Sequence, residues 1–238
     1  MKVQPVDESL VGGHFHFMKN KKHVVMKVNG KTSVLIACEQ SQVVCSAFRK
    51  VGIAAFSNDI QPCCGGHPEW HIIGDAVRVV QGNGTFGLED GREVRVIGNW
   101  GIVIAHPPCT MLTHRSAVAL SKGIHTIEDV SRAAFFFRLM LNAPANMVAV
   151  EDPAPMKFIG LPPCDQIVNP WQFGHPFSKR CCLWLRNLPP LIPMRGSCAK
   201  HIKWNAHCSS SSRRRSKTFE GIAEAMAWQW GALLDLDF

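Results

Sequence analysis

Residues 100–109, Trp-Gly-Ile-Val-Ile-Ala-His-Pro-Pro-Cys, are the stretch of this 238-residue chain that decides its fold. Residues 100–105 are apolar and rich in β-branched side chains, which is typical of a short buried strand. Pro107 and Pro108 then remove two backbone donors and fix φ, so the strand ends abruptly and Cys109 lies on a rigid turn. In an open α/β sheet, ligands bind at the carboxyl ends of the strands. The pattern therefore predicts a thiol placed as a nucleophile is placed, with a small buried filler as the alternative.

A second apolar stretch ends in an acid. Residues 146–150 read Asn-Met-Val-Ala-Val, and Glu151-Asp152-Pro153 follow directly. Two neighbouring parallel strands would deliver a thiol and a carboxylic acid to the same crevice. A cysteine needs such a partner when it attacks an electron-poor ring, because the acid supplies a proton to the heteroatom that accepts the displaced charge.

Strand and helix patterns alternate along the rest of the chain. The predicted strands are residues 33–37, 53–57, 71–75, 100–105, 147–150 and 180–185, and the predicted helices are residues 41–50, 126–141 and 219–234. The helix at 126–141 is expected to bury Phe135 and Leu139, and residues 82–91 read as a polar loop. The alternation predicts an α/β fold, a doubly wound and mostly parallel Rossmann-like sheet with helices on both faces.

The domain organisation follows from the same pass along the sequence. Residues 1–31 are polar and are expected to form a loose N-terminal leader. Residues 32–238 are expected to form a single domain, with irregular insertions at about 153–174 and 189–217.

Composition limits the class of protein. Hydrophobic residues make up 46% and charged residues 18%, which suits a globular enzyme. No apolar run is long enough to span a bilayer, and no signal-peptide core occurs at the N-terminus. The ten cysteines include the adjacent pairs Cys63-Cys64 and Cys181-Cys182, which do not suit a disulfide framework, so a reducing, cytoplasmic location is expected. A net charge of +8 permits a polyanionic partner but does not identify one.

Two acids follow the second and third predicted strands. Asp59 lies where a doubly wound nucleotide fold places an acid for ribose hydroxyls, and Asp75 could accept a hydrogen bond from an adenine amino group. The alternative is that each caps the segment after it. The first turn, residues 38–42, reads Cys-Glu-Gln-Ser-Gln and lacks the glycines that let a pyrophosphate approach. A cofactor with ribose and adenine but no phosphate is compatible.

The order of these parts resembles the carbon-5 cytosine DNA methyltransferase family, in particular its short phage-type members, over about residues 33–231. Residues 104–109 resemble its nucleophile motif, and residues 150–153 stand in place of its Glu-Asn-Val, with Asp152 for asparagine. Residues 178–185 resemble its Gln-x-Arg-x-Arg strand. Residues 218–227 resemble its last motif.

The resemblance implies a class I methyltransferase fold, S-adenosylmethionine as cofactor and DNA as partner. Cys109 would attack carbon 6 of a cytosine flipped out of the stack, Glu151 would hold nitrogen 3, and carbon 5 would take the methyl group. Lys179 and Arg180 would lie near the nucleophile, where positive charge lowers a thiol pKa. The residues expected at the cofactor are Glu39, Ser41, Asp59, Ile60, Asp75, Ala76, His106, Pro108 and Glu220.

The space for a target-recognition domain is small or absent, because only the two irregular insertions could supply it. The substrate is therefore left open between duplex DNA, single-stranded DNA and a free pyrimidine nucleotide. Arg213, Arg214, Arg215 and Lys217 are predicted to contact nucleic acid, with a solvated loop as the alternative. A non-catalytic nucleic-acid or nucleotide-binding protein on the same fold, and an amino-group methyltransferase, are the other candidate functions.

Two groupings of cysteine and histidine have spacings that zinc accepts. The first is Cys63, Cys64, His67 and His71, and the second is Cys198, His201, His207 and Cys208. Neither matches a common zinc finger, so no metal is assigned from the sequence.

Overall fold

The computed structural model of the protein describes residues 25–193, 196, 202–204 and 217–234. Residues 1–24 of the predicted leader lie outside this set. So do Arg213, Arg214 and Arg215 of the predicted basic arm, and all four members of the second cysteine–histidine grouping.

The described secondary structure follows the predicted alternation. The strands are β1 (Val25–Asn29), β2 (Ser33–Ala37), β3 (Ala54–Asp59), β4 (His71–Ile73), β5 (Thr85–Gly87), β6 (Glu93–Ile97), β7 (Ile102–Ala105), β8 (Met147–Asp152), β9 (Gln166–Val168), β10 (Phe177–Ser178), β11 (Cys181–Arg186) and β12 (Ile202–Lys203). The α-helices are α1 (Val43–Lys50), α2 (Ala76–Val79), α3 (His114–Ser121), α4 (Ile127–Leu141) and α5 (Glu220–Gly231).

A seven-stranded sheet organises the molecule, in the order β4-β3-β2-β7-β8-β11-β9. Strands β4, β3, β2, β7 and β8 run parallel, and β11 runs antiparallel to both of its neighbours. The chain adds β3 and β4 on one side of β2 and then returns to place β7 on the other side. The strand order therefore reverses between β2 and β7, which makes this edge a topological switch point.

Each face of the sheet carries its own apolar core, as predicted for a doubly wound fold. Val34 and Ile36 of β2 pack with α1 and α5, whereas Leu35 and Ala37 pack on the opposite face with α2 and α4. Strands β2, β7 and β8 are buried along their whole length, as expected for parallel strands covered on both sides. This burial fixes the positions at which their carboxyl ends emerge.

A second, three-stranded sheet in the order β1-β6-β5 differs from the prediction. Residues 25–29, assigned from the sequence to the loose leader, form β1 and pair in parallel with β6. Residues 85–87, assigned to a polar loop, form β5. Both strands are short and expose every second side chain, and neither contains a long apolar run that would indicate a buried strand. In the insertion at 153–174, Gln166–Val168 likewise forms a strand, β9, at the edge of the main sheet.

One packing expectation is corrected, and the start of one predicted strand moves. Phe135 of α4 is 62% exposed, and the face of that helix that is buried consists of Val130, Ala134, Phe137 and Met140. Trp100 is fully buried but precedes β7, and its indole donates a hydrogen bond of 2.8 Å to the carbonyl of Val79. Apolar side chains repeat at helical spacing on more than one face of residues 126–141. Tertiary packing buries the face that contains Ala134 and Phe137 and leaves Phe135 exposed.

No helix within the described ranges is both long enough and apolar enough to cross a membrane.

Candidate active-site cleft

A cleft of about 920 Å³ opens at the carboxyl ends of β2, β7 and β8, at the switch point. It brings together most of the predicted site residues: Glu39, Ser41, Asp59, His106, Pro108, Cys109, Glu151, Lys179, Arg180 and Lys217. Asp152, Ser178, Lys203 and Trp204 also line it, and the sequence did not predict them there. The volume lies within the range of clefts that bind small molecules and cofactors.

The turn after β7 positions Cys109. The backbone N–H of His106 donates to the carbonyl of Ala37 at 3.0 Å, which ties the start of the turn to the end of β2. The carbonyl of Cys109 accepts from Leu112 at 3.0 Å, and this bond leads the chain towards α3. Between these anchors the two prolines fix the backbone, so the half-buried Cys109 side chain enters the cleft from a rigid segment.

Glu151 reaches the cleft from the end of β8, and its partner is His106. Nδ1 of His106 and Oε2 of Glu151 lie 3.1 Å apart, and both side chains are nearly buried. Burial opposes ionisation of Glu151, but the His106 hydrogen bond and the charge of Lys179 outweigh it and lower the pKa to about 2. The lowered pKa favours the carboxylate form of Glu151, which differs from the proton-supplying role expected from the sequence.

Asp152 is the neighbouring carboxyl group, and its situation is the reverse. It is 1% exposed, and neither of its oxygens has a hydrogen-bond partner in the described part of the chain. Burial and the charge of Glu151 raise its pKa to about 8, although Lys179 opposes the shift. Two adjacent acids in one cleft thus have pKa values on opposite sides of neutrality.

The thiol of Cys109 is not activated as predicted. Burial and the charges of Asp152 and Glu151 raise its pKa, and the charge of Lys179 opposes this shift. Lys179 lies just before β11 and is close to all three acidic groups. Arg180 is exposed and lines the cleft. The predicted lowering by two cations is therefore wrong in its net effect, because two carboxylates and burial outweigh one ammonium group.

Glu39 closes the N-terminus of α1. Its Oε1 accepts from the backbone of Val44 at 2.7 Å, and its Oε2 accepts from Cys45 at 3.2 Å. The Ser41 hydroxyl also donates to Oε1, at 3.3 Å. Glu39 thus occupies the position that a phosphate takes at the start of the first helix of a nucleotide-binding fold. It also lines the cleft, but its side chain supports the helix.

The remaining predicted cofactor residues divide between the cleft and its surroundings. Asp59 lines the cleft and its Oδ1 accepts from the backbone of Gln61 at 3.0 Å. Asp75 caps α2 by accepting from Val77 at 3.0 Å, as its structural alternative stated, and Ala76 is buried behind it. Ile60 is 74% exposed. These three residues, Ile60, Asp75 and Ala76, are not among those lining the cleft.

Glu220 also lies away from the cleft lining, exposed in the first turn of α5. Pro108 is exposed at the mouth beside Cys109. Lys203 of β12, Trp204 and Lys217 form one rim. Trp204 packs edge-on against Phe177 and Phe219, so its position depends on α5 and β10.

The first cysteine–histidine grouping does not assemble. His71 is buried, with its ring nitrogens 2.9 Å from the Ser57 hydroxyl and 2.9 Å from the Gln61 carbonyl. His67 stacks on Trp70 with ring centroids 3.8 Å apart. Across the residues with described positions, no group of three or more His, Cys, Asp or Glu side chains is arranged to hold a metal ion.

Comparison with other proteins adds no assignment to this site. No protein-family model matches the chain, and no curated protein matches it significantly. The class that the structure itself defines is an α/β protein with a seven-stranded, mostly parallel sheet and a cleft at its switch point.

Proposed function

We propose that this protein transfers a methyl group from S-adenosylmethionine to carbon 5 of cytosine in DNA, through a covalent bond to Cys109. The observation that carries the proposal is that Cys109 and Glu151, which is hydrogen-bonded to His106, line one cleft at the switch point of the sheet. A nucleophile and a carboxylate on adjacent strand ends are what attack on a pyrimidine ring requires.

The first step is attack of the Cys109 sulfur on carbon 6 of the ring. The thiol proton passes to a base in the cleft, a sulfur–carbon bond forms, and the π electrons of the carbon 5–carbon 6 bond move into the ring towards nitrogen 3. Carbon 5 becomes electron-rich by this shift and can accept a methyl group. Transfer of the carbon 5 proton to a base and expulsion of the sulfur as thiolate then restore the ring, and the thiolate takes up a proton to give the free thiol.

Glu151 acts on this step as an anion. A carboxylate only accepts hydrogen bonds, so it would bind the exocyclic amino group and a nitrogen 3 that has taken a proton from solvent. Its Oε1 has no hydrogen-bond partner among the described residues, whereas Oε2 is held by His106. The ring would thus carry the positive charge that draws in the displaced electrons, and Glu151 would stabilise that charge.

The part of the cleft that is lined by Glu39, Ser41 and Asp59 suits a cationic ligand without phosphate. Glu39 fills the helix N-terminus with a carboxyl group, which excludes a phosphate there. Asp59 and Ser41 offer oxygens to ribose hydroxyls and to an ammonium group. S-adenosylmethionine fits this donor set, because its sulfonium and ammonium groups are positive, and it supplies the methyl group.

The rim of the cleft favours a phosphate-bearing substrate. Arg180, Lys203 and Lys217 are exposed cations that line it. Trp204 lies among them and offers a ring on which an unstacked base can rest. DNA is therefore the proposed substrate, which would place the activity in the cytoplasm of a bacterial or phage-infected cell.

The direct test is transfer of labelled methyl from S-adenosylmethionine to cytosine-containing DNA by the wild-type protein and by Cys109→Ser. We expect incorporation by the wild type at carbon 5 and none by the variant. Deoxycytidine monophosphate in place of DNA separates a polymer substrate from a free nucleotide. Equal incorporation by Cys109→Ser would overturn the covalent mechanism.

A further inference from the structure

The mechanism just described needs a base for the thiol proton of Cys109, and it leaves one buried group of the cleft unused. Glu151 is engaged by His106 and is too weak a base, because its pKa is about 2. Asp152 is the neighbouring carboxyl group, and both of its oxygens lack a partner within the described ranges. A buried carboxyl group left unbonded is uncommon in a folded protein and points to a functional role.

The strand arrangement brings Asp152 to the nucleophile. Ala105 pairs with Val150 across β7 and β8, so the Pro-Pro turn and the acid pair continue from adjacent positions. Both Cys109 and Asp152 line the cleft. Of the two carboxyl groups, Asp152 has the larger electrostatic effect on Cys109.

We propose that Asp152 is the general base that takes the proton of the Cys109 thiol when the sulfur attacks. The S–H bond breaks, the proton passes to a carboxylate oxygen of Asp152, and the sulfur electron pair forms the bond to the ring. The identity of the ring that is attacked rests on the proposed function. The transfer of a proton from Cys109 to Asp152 does not depend on it.

The charges around Asp152 support this role. Glu151 on the same strand and Lys179 before β11 face it, and its charge acts in turn on Cys109 and Cys182. Its pKa of about 8 makes Asp152 a much stronger base than Glu151, whose pKa is about 2. A cationic ring bound to Glu151 would neutralise the charge that raises the Asp152 pKa, and binding would therefore favour the basic form of Asp152.

The test measures two rates in wild type and Asp152→Asn, with Asp90→Asn as a matched control outside the cleft lining. The first is alkylation of Cys109 by iodoacetamide from pH 6 to 10, which needs neither cofactor nor DNA. The second is methyl transfer. In the wild type, alkylation should rise in two steps, because ionisation of Asp152 opposes ionisation of the thiol. In Asp152→Asn it should rise in one step and be about tenfold faster at pH 9, the effect of one pKa unit.

Methyl transfer should change in the opposite direction, with kcat falling about 100-fold in Asp152→Asn, the usual contribution of a general base, and KM nearly unchanged. If Asp152 acted only through its charge, the variant would be faster in both assays. If it were only structural, both rates would fall. Either result overturns the proposal. A wild-type protein that transfers no methyl group overturns the proposed function. The alkylation profiles then still test the interaction of Asp152 with Cys109. A two-step profile in the wild type and a one-step profile in Asp152→Asn support it, and identical profiles contradict it.

Discussion

At the β2–β3 end of the cleft the carboxyl groups of Glu39 and Asp59 accept hydrogen bonds from the chain itself, whereas at the β7–β8 end the carboxyl groups of Glu151 and Asp152 have oxygens without a partner among the described residues. Glu39 caps α1, and Asp59 and Asp75 each accept a hydrogen bond from their own following turn. At the other end, Oε1 of Glu151, both oxygens of Asp152 and Nε2 of His106 are buried without a partner among the residues described. The first region is held together before any ligand binds, and the second is organised for one.

Removing the charge of Lys179, the cation at the β7–β8 end of the cleft, should have a large effect on the reactivity of Cys109. In Lys179→Met, Glu151, Asp152 and Cys109 lose the charge that stabilises their ionised forms. We expect alkylation of Cys109 at pH 8 to slow by about tenfold or more, since one pKa unit is a factor of ten. Arg180→Met is the matched control, because Arg180 is exposed. An equal effect of the two substitutions would show that only net charge matters.

Glu39→Ala tests the β2–β3 end of the cleft, where the carboxyl group of Glu39 accepts hydrogen bonds from the chain itself. The substitution leaves the buried N–H groups of Val44 and Cys45 without their acceptor. We expect the free energy of unfolding to fall by about 2 kcal/mol in urea titration. Ser41→Ala, which removes only a donor to the same carboxyl, should have a smaller effect. Unchanged stability in Glu39→Ala would show that the cap contributes nothing.

In contrast to Glu39→Ala, Asp152→Asn should increase the free energy of unfolding at neutral and higher pH. Burial raises the pKa of Asp152 from 3.8 to about 8, so its contribution to stability is complete below about pH 4 and is lost as pH rises to about 8. Asparagine does not ionise, so the variant keeps that contribution. We expect its advantage over wild type to be at least about 1.4 kcal/mol larger at pH 8 than at pH 4, the value of one pKa unit. A difference independent of pH would contradict the assignment.

The sequence predicted the main sheet and the meeting of Cys109 with Glu151, because buried parallel strands and Pro-Pro turns have strong local signals. The sequence also offered helix capping as the alternative role of Asp75, and the structure shows Asp75 capping α2. It could not predict that Glu39 caps α1, because that contact depends on how the chain folds back at residues 38–42. Nor could it order the two acids: His106 and Lys179 lower the pKa of Glu151, whereas burial and the charge of Glu151 raise the pKa of Asp152, and these effects depend on how the strand ends meet. The short strands β1 and β5 lacked an apolar run and were missed.

The central claim is that the sulfur of Cys109 bonds to the cytosine ring. An oligonucleotide containing 5-fluorocytosine tests it directly, because fluorine at carbon 5 does not leave as a proton and the covalent complex cannot break down after methyl transfer. Intact-mass measurement after incubation with S-adenosylmethionine should show one protein molecule joined to one oligonucleotide, with the bond mapped to Cys109, and no such species for Cys109→Ser. A wild-type protein that methylates ordinary cytosine but forms no adduct, or an adduct mapped to another residue, would contradict the account.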